Sequence, residues 1–255
     1  MELPSVFGPF VATPARSAVL TDFDGTLAPI VDDPAAARPL PAAAGILAAL
    51  ARRFGVAGVV SGRPVGYLVE HLGTGLSLSG VYGLERWRDG KHQEVAEVEQ
   101  WRPVVAGVVE RARTELGPLV EDKGLSLTLH FRTAPERAGE VEAWAVAQAD
   151  HHGLRLHRAR ASVELHPPID IDKGTEVAAL AAGMDAACFI GDDVGDLAAF
   201  DALDRLAAEG AHTVRVAVRS PESPPELLSR ADWQVDGPAS ALALLESLAG
   251  AAAQD

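Results

Sequence analysis

Short apolar blocks ending in glycine or charged turns alternate with longer segments of helical period through the first part of the chain. Val19 to Phe23 reads as a strand. Pro41 to Phe54 sets Ile46, Leu47 and Leu50 on one face and stops at Gly55, as a helix does. Val56-Ala57-Gly58-Val59-Val60 reads as a second buried strand. Pro64 then opens a short helix that Gly73 closes, and a third strand runs near Leu76 to Val81. This βαβαβ order with short connections predicts an α/β fold with a doubly wound parallel sheet.

The pattern changes near Glu97. Trp101 to Leu116 has helical period, and Leu119 to Glu121 and Ser126 to Arg132 read as strands. Glu136 to His151 is a second helix, followed by strands at Leu154 to Arg158 and Ser162 to Leu165. Helix-strand-strand, twice over, predicts a small α+β cap built on an antiparallel sheet. Ser126-Leu127-Thr128-Leu129-His130-Phe131 alternates polar and apolar, as one solvated face requires.

After Pro168 the first style resumes. A helix capped by Asp172 runs to Ala182, and Ala187 to Gly191 is a strand. Asp193 to Leu203 reads as a helix, Val214 to Val218 as a strand and Ser240 to Leu248 as a last helix. The expected organisation is a catalytic core of residues 1–96 and 169–255, with a cap of residues 97–168 inserted.

Composition narrows the classes. The chain has 255 residues, 48% of them hydrophobic, enough for a sizeable core. A formal net charge of -14 argues against sequence-independent binding of nucleic acid or anionic membrane. Cys188 is the only cysteine and excludes an internal disulfide. Met1-Glu2-Leu3-Pro4 lacks a signal-peptide pattern, no uncharged apolar stretch reaches the length of a membrane span, and residues 250–255 read as a fraying tail. The expected location is the cytoplasm.

A protein this acidic needs locally concentrated cationic help to handle a phosphate. Asp22 and Asp24 end the first strand, and period-two geometry would place both on one side. Ser61 ends the second strand, Lys173 begins a helix, and Asp192, Asp193 and Asp196 follow a later strand. Each has an ordinary alternative: an acidic turn, a helix cap, a solvated lysine, a capping pair. Together they gather carboxylates, a lysine and a hydroxyl at one sheet edge, where open α/β sheets bind ligands.

Mg²⁺ suits such an oxygen-rich set. Asp22 and Asp192 are the natural direct ligands, with the carbonyl of Asp24 a third, while Asp193 and Asp196 orient waters or Lys173. Asp22 is the candidate nucleophile, forming an aspartyl-phosphate, and Asp24 the candidate acid and base. Ser61 and Lys173 are candidates to hold phosphoryl oxygens.

These four motifs, in this order, resemble those of the haloacid dehalogenase (HAD) superfamily. The run Asp24-Gly25-Thr26-Leu27-Ala28-Pro29-Ile30-Val31-Asp32-Asp33-Pro34 is similar to the opening of trehalose-6-phosphate phosphatases. So are Val60-Ser61-Gly62-Arg63, Gly83-Leu84-Glu85 and Leu129-His130-Phe131-Arg132, and the likeness spans roughly residues 18 to 237. The resemblance implies a HAD-like core whose inserted cap closes over a sugar. Its implied substrate contacts are Glu121, Lys123 and Glu164, with Arg63, Glu85 and Arg132 beside them; a solvated hairpin is the ordinary alternative for Glu121 and Lys123.

The implied activity is Mg²⁺-dependent hydrolysis of trehalose 6-phosphate, with a trehalose-6-phosphate synthase as candidate partner. Alternatives are another disaccharide or pseudo-disaccharide phosphate, mannosyl-phosphoglycerate, a phosphomutase, or a catalytically silent sugar-phosphate-binding domain. One departure stands out. The family's Gly-Asp-Asp-x-Thr-Asp-Glu is Gly191-Asp192-Asp193-Val194-Gly195-Asp196-Leu197 here, so a hydroxyl and a carboxylate are missing.

Overall fold

The computed structural model describes residues 2–159, 161–221 and 223–251. The chain divides into two compact units, residues 1–93 with 171–255, and residues 94–170. The reading of residues 250–255 as a tail ends differently. Gly250 and Ala251 complete the last helix, and residues 252–255 lie outside the described residues.

In chain order, the first unit starts with helix α1 (Gly8–Ala12), strand β1 (Ser17–Thr21), α2 (Ala43–Ala51), β2 (Val56–Val60), α3 (Val65–Leu72) and β3 (Ser77–Gly80). A hairpin of β4 (Glu85–Arg88) and β5 (Lys91–Glu94) follows. The second unit contains α4 (Arg102–Leu116), β6 (Val120–Asp122), β7 (Leu127–His130), α5 (Ala138–His152), β8 (Arg155–Ala159) and β9 (Ser162–His166). The first unit then resumes with α6 (Lys173–Leu180), β10 (Ala186–Gly191), α7 (Leu197–Ala208), β11 (His212–Arg219), α8 (Pro225–Arg230), β12 (Trp233–Asp236) and α9 (Gly237–Ala251).

The sheet of the first unit runs β12-β11-β10-β1-β2-β3-β4-β5. Its strands from β12 to β3 are parallel, and β4 pairs antiparallel with β3. Both faces are covered, so the central strands read as unbroken apolar runs. Val19, Val59, Cys188 and Ile190 pack with Leu47, Leu50, Leu68 and Leu245 on one face. Ala18, Leu20, Val60 and Phe189 pack with Val177, Phe200, Leu203 and Leu227 on the other. Cys188 is buried, and burial pushes its thiol up to about 12, so it serves as a small core hydrophobe.

The chain leaves the β4–β5 hairpin, beyond β3, for the second unit and returns in β10, beside β1 and opposite β2. The connection order therefore reverses at β1, and the crevice between the carboxyl ends of β1 and β10 is the topological switch point, where such sheets bind ligands.

The structure corrects two element boundaries and adds an antiparallel edge to the mostly parallel sheet. The first strand ends at Thr21, not Phe23. Asp22 still donates its amide to the Ile190 carbonyl at 2.8 Å, but the Phe23 carbonyl then accepts from Leu27 and Ala28, and Gly25 adopts φ +73. A tight turn, not period-two geometry, therefore aims Asp24. The sheet is also not wholly parallel, because the β4–β5 hairpin extends it. Its signal was present in the sequence: Asp89-Gly90, both left-handed here at φ 52 and 72, is a favoured hairpin turn. Helix α7 begins at Leu197 rather than Asp193, after a tight turn at Val194–Asp196.

The second unit packs α4 and α5 on one face of the antiparallel sheet β6-β7-β9-β8. Val105, Val109, Val141 and Ala145 meet Leu127, Leu129, Val163 and Leu165 there. Register aligns Glu121, Thr128, Glu164 and His157 in one row across the four strands, on the face away from those apolar side chains. Among the described residues no helix is long and apolar enough to cross a membrane.

Candidate active site

The switch-point crevice collects charge. Helix α6 starts where Asp172 and Thr175 cap one another: Thr175 donates its amide to Asp172 Oδ1 at 2.8 Å, and the Asp172 amide donates to Thr175 Oγ1 at 3.0 Å. That cap puts Lys173 at the first helical position, where its side chain is buried. Lys173 Nζ lies 2.9 Å from Asp22 Oδ2 and 2.7 Å from Asp196 Oδ1. The other oxygen of Asp196 accepts the amides of Asp192 at 2.8 Å and Asp193 at 3.1 Å. One fully buried carboxylate thus sets both the ammonium and the loop after β10.

Asp192 is different. Its Oδ1 is buried and has no hydrogen-bond partner. A Cβ at Gly25 would sit 2.0 Å from Asp192 Oδ2, so only glycine permits this approach of the two loops. Asp22, Asp193 and Asp196 each also offer an oxygen within 4.8 Å of the others.

The electrostatics follow from an excess of buried negative charge. Burial raises the Asp22 carboxyl well above its ordinary range, against the pull of Lys173, with Asp196 and Asp193 adding to the rise. Burial, then Asp196 and Asp22, lift Asp192 in the same direction, and burial lifts Asp196. Burial works against the charge of Lys173, but Asp196 and Asp22 together keep it well above the usual lysine range. Hard oxygen donors, a partnerless buried carboxylate oxygen and mutual repulsion are the environment a divalent cation such as Mg²⁺ relieves.

Asp24 faces other partners. Its two oxygens accept from Arg63, Nε at 2.7 Å and Nη2 at 2.8 Å. Ser61 is buried just past β2, and its Oγ accepts the Arg63 amide at 3.2 Å. It is not the cap of α3, which begins later; there Glu85 Oε2 accepts the Val65 amide at 2.7 Å.

The sequence reading missed what supports this loop. Val81 and Tyr82 are both left-handed, at φ 47 and 57, which is an outlier for a β-branched residue. Their amides bond the carbonyls of Arg63 and Ser61, each at 3.0 Å. Strain held this way is a feature of functional loops. Glu176, one turn along α6 from Lys173, is also buried, and it is held by Arg86 and by Arg88 at 3.2 Å. No spacing rule links β4 to α6, so this clamp left no trace in the sequence.

In the second unit Glu164 is buried and fully engaged. It accepts from Lys123 at 2.9 Å, Ser126 at 2.6 Å and Thr128 at 3.1 Å. Burial opposes its ionisation, but Lys123 and Ser126 outweigh it and hold the carboxyl below its usual range. Lys123 is therefore no solvated hairpin residue. Glu121 pairs with His130 Nε2 at 2.8 Å, and Arg132 is half-buried just beyond β7. The structure brings Lys123 and Glu164 together and sets Glu121 in the same cross-strand row.

The chain is similar to known proteins along most of its length. The trehalose-phosphatase family model matches residues 20–238. A trehalose-phosphate phosphatase of Mycolicibacterium paratuberculosis is 36% identical over 246 residues, covering 91% of this chain and 62% of its own length. One of Mycobacterium leprae is 35% identical over 212 residues, covering 75% of this chain and 48% of its own. The chain thus spans about half to two thirds of the length of these curated relatives. Among solved structures, the C-terminal domain of C. albicans trehalose-6-phosphate phosphatase superposes with TM-score 0.77 at 23% identity, covering 98% of both chains. A protein described as related to trehalose-6-phosphate phosphatase gives 0.79 at 20%, covering 93% of this chain and 99% of its own. These last two likenesses show the fold.

Proposed function

Because the chain belongs to the trehalose-phosphatase family, we propose that it hydrolyses trehalose 6-phosphate to trehalose and phosphate, using Asp22 as nucleophile. The observation that carries this reading is the buried Asp22–Lys173–Asp196 chain beside the partnerless Asp192 oxygen at the switch point.

An Asp22 carboxylate oxygen attacks phosphorus, the bond to the sugar oxygen breaks, and Asp24 gives that oxygen its proton. Water then attacks the aspartyl-phosphate, Asp24 takes the water's proton, and phosphate leaves with Asp22 regenerated. Ser61 Oγ and Lys173 Nζ hold phosphoryl oxygens as charge shifts among them. Asp196 keeps Lys173 in place. Asp22, Asp192 and the Asp24 carbonyl would hold Mg²⁺, with Asp193 and Asp196 orienting its surroundings. The cation would supply charge neutralisation for the phosphate and for the crowded carboxylates.

Sugar recognition falls to Glu121, Lys123, Glu164 and Arg132 of the second unit, a cap in this reading. Glu85 serves the core by capping α3. A second reading keeps the reaction and changes the sugar. A Cβ at residue 195 would lie 3.2 Å from Asp193 Oδ1, so a threonine there would make the Asp193 side chain give way, and Gly195 sets this loop differently. That favours testing other disaccharide phosphates.

A trehalose-6-phosphate synthase is the expected supplier of substrate. The cytoplasm is the expected location, since a sugar phosphate is an anion that does not cross a bilayer unaided. A phosphate-release panel of sugar phosphates, with and without Mg²⁺, is the test. Trehalose 6-phosphate should lead it, only with the metal; another sugar far ahead would replace the substrate, and no release from any would end the reading.

A further inference from the structure

The family resemblance puts Arg63 among the substrate contacts, yet its guanidinium is committed within the first unit. Nε and Nη2 close on both oxygens of Asp24, and Nη1 donates to the Pro34 carbonyl at 2.8 Å. The guanidinium carbon sits 5.0 Å from the centroid of the Tyr67 ring, and the side chain is 9% exposed. Its backbone is held on both sides, the amide by Ser61 Oγ and the carbonyl by the left-handed Val81.

Resting on the acid–base role proposed for Asp24, we propose that Arg63 is a positioning residue for the reaction, fixing the Asp24 carboxylate, and not a ligand of phosphate or sugar. A planar fork on both oxygens admits a single orientation of the carboxylate, which an aspartate on a turn cannot hold alone. Proton transfer from the attacking water to that carboxylate, in the second step, depends steeply on its orientation. Nε, whose single N–H goes to Asp24, has none left for substrate, and one N–H on each of Nη1 and Nη2 is engaged as well. The arginine also ties the carboxylate to two neighbouring segments, through Pro34 and Ser61. A lysine would keep the charge and lose the fork.

The test measures Arg63→Gln, Arg63→Lys, Asp24→Asn and Arg63→Gln/Asp24→Asn in the full chain with Mg²⁺, alongside melting curves. Trehalose 6-phosphate is the substrate, and inorganic phosphate the competing ligand. Positioning predicts that Arg63→Gln lowers kcat at least about tenfold, within the range of general acid–base catalysis, while KM and phosphate inhibition stay within about threefold. Arg63→Lys, which keeps a buried cation beside Asp24 and so protects folding, should fall between wild type and Arg63→Gln. The double variant should be no slower than Asp24→Asn alone, since the arginine acts only through that carboxylate. A rise of tenfold in KM or in the phosphate inhibition constant with kcat kept, or losses that multiply in the double variant, would overturn the proposal. If the wild type releases no phosphate from any substrate, the functional reading fails separately. A crystal structure of Arg63→Lys then decides positioning: the Asp24 carboxylate should turn from its place, and an unmoved carboxylate would refute it.

Discussion

Each unit buries a lysine against carboxylate, and the two clusters are balanced in opposite ways. In the first, Lys173 faces Asp22 and Asp196, with Asp192 close by and one oxygen left without a partner. Negative charge is in excess, and the carboxyls are driven upward. In the second, a single carboxylate, Glu164, meets one ammonium and two hydroxyls, and its carboxyl is pulled down. Burial acts the same way in both. What differs is the count of charges and the completeness of hydrogen bonding, which decide whether a buried cluster is complete alone or needs a visiting cation.

The sharpest way to break the contrast is Asp22→Asn. It keeps shape and removes the nucleophile, so turnover on any phosphate ester should fall at least ~10³-fold, a barrier rise of about 4 kcal/mol, while the melting temperature holds or rises as repulsion is relieved. Steady-state kinetics with a calorimetric melt decide it, and activity within tenfold of wild type would contradict covalent chemistry at Asp22.

Glu164→Ala should do the reverse. It strands Lys123 in a buried site, and breaking such a pair costs about 3–5 kcal/mol, read by denaturant titration. The isosteric Glu164→Gln separates recognition from stability. It should lower kcat/KM for trehalose 6-phosphate about tenfold and leave hydrolysis of a small aryl phosphate nearly unchanged. Equal losses on both substrates would make Glu164 structural.

Next in size is the response to metal. Mg²⁺ at a hundred times its dissociation constant should stabilise the fold by about 2.7 kcal/mol, visible as a rise in melting temperature that chelator reverses. Asp192→Asn should abolish the rise and leave the metal-free protein as stable as before or more so. A rise of equal size in that variant would remove Asp192 from the metal set.

The smallest effect is on pH. Burial, only partly offset by Glu164 and the Pro167 carbonyl, holds His166 below its ordinary range, with His157 and Arg155 adding repulsion. The unfolded chain then takes up a proton that the folded chain resists, so stability is full above about pH 6.5 and declines below it. Glu164, with its depressed carboxyl, contributes stability present above about pH 4.3 that is lost as pH falls through its folded value. Melts across pH 4.5 to 7.5 should show the first decline, and His166→Gln should flatten it.

Local physics was legible in the sequence where a residue's neighbours in the chain determine its state. Apolar runs such as Val56–Val60 and Ala187–Gly191 became strands because a sheet covered on both faces tolerates no polar break. Asp172 and Gly73 marked helix ends through backbone groups a few residues away. Even the unrecognised hairpin had its local signal in Asp89-Gly90, whereas the short, mostly exposed β12 had none. The sequence alone also put Asp22, Asp24, Ser61, Lys173 and Asp192 at the ends of neighbouring elements.

Which of these side chains meet was decided by the tertiary structure. Asp24 turns to Arg63, 39 residues on, and Asp22 to Lys173, because a glycine turn replaces the last step of the strand. The Arg86–Glu176–Arg88 clamp and the row Glu121, Thr128, Glu164, His157 exist only through strand register and helix docking. A chain encodes local conformation through nearest-neighbour sterics and hydrogen bonds, while partners between distant charges are settled only once burial removes water and leaves each ion a few possible counterparts.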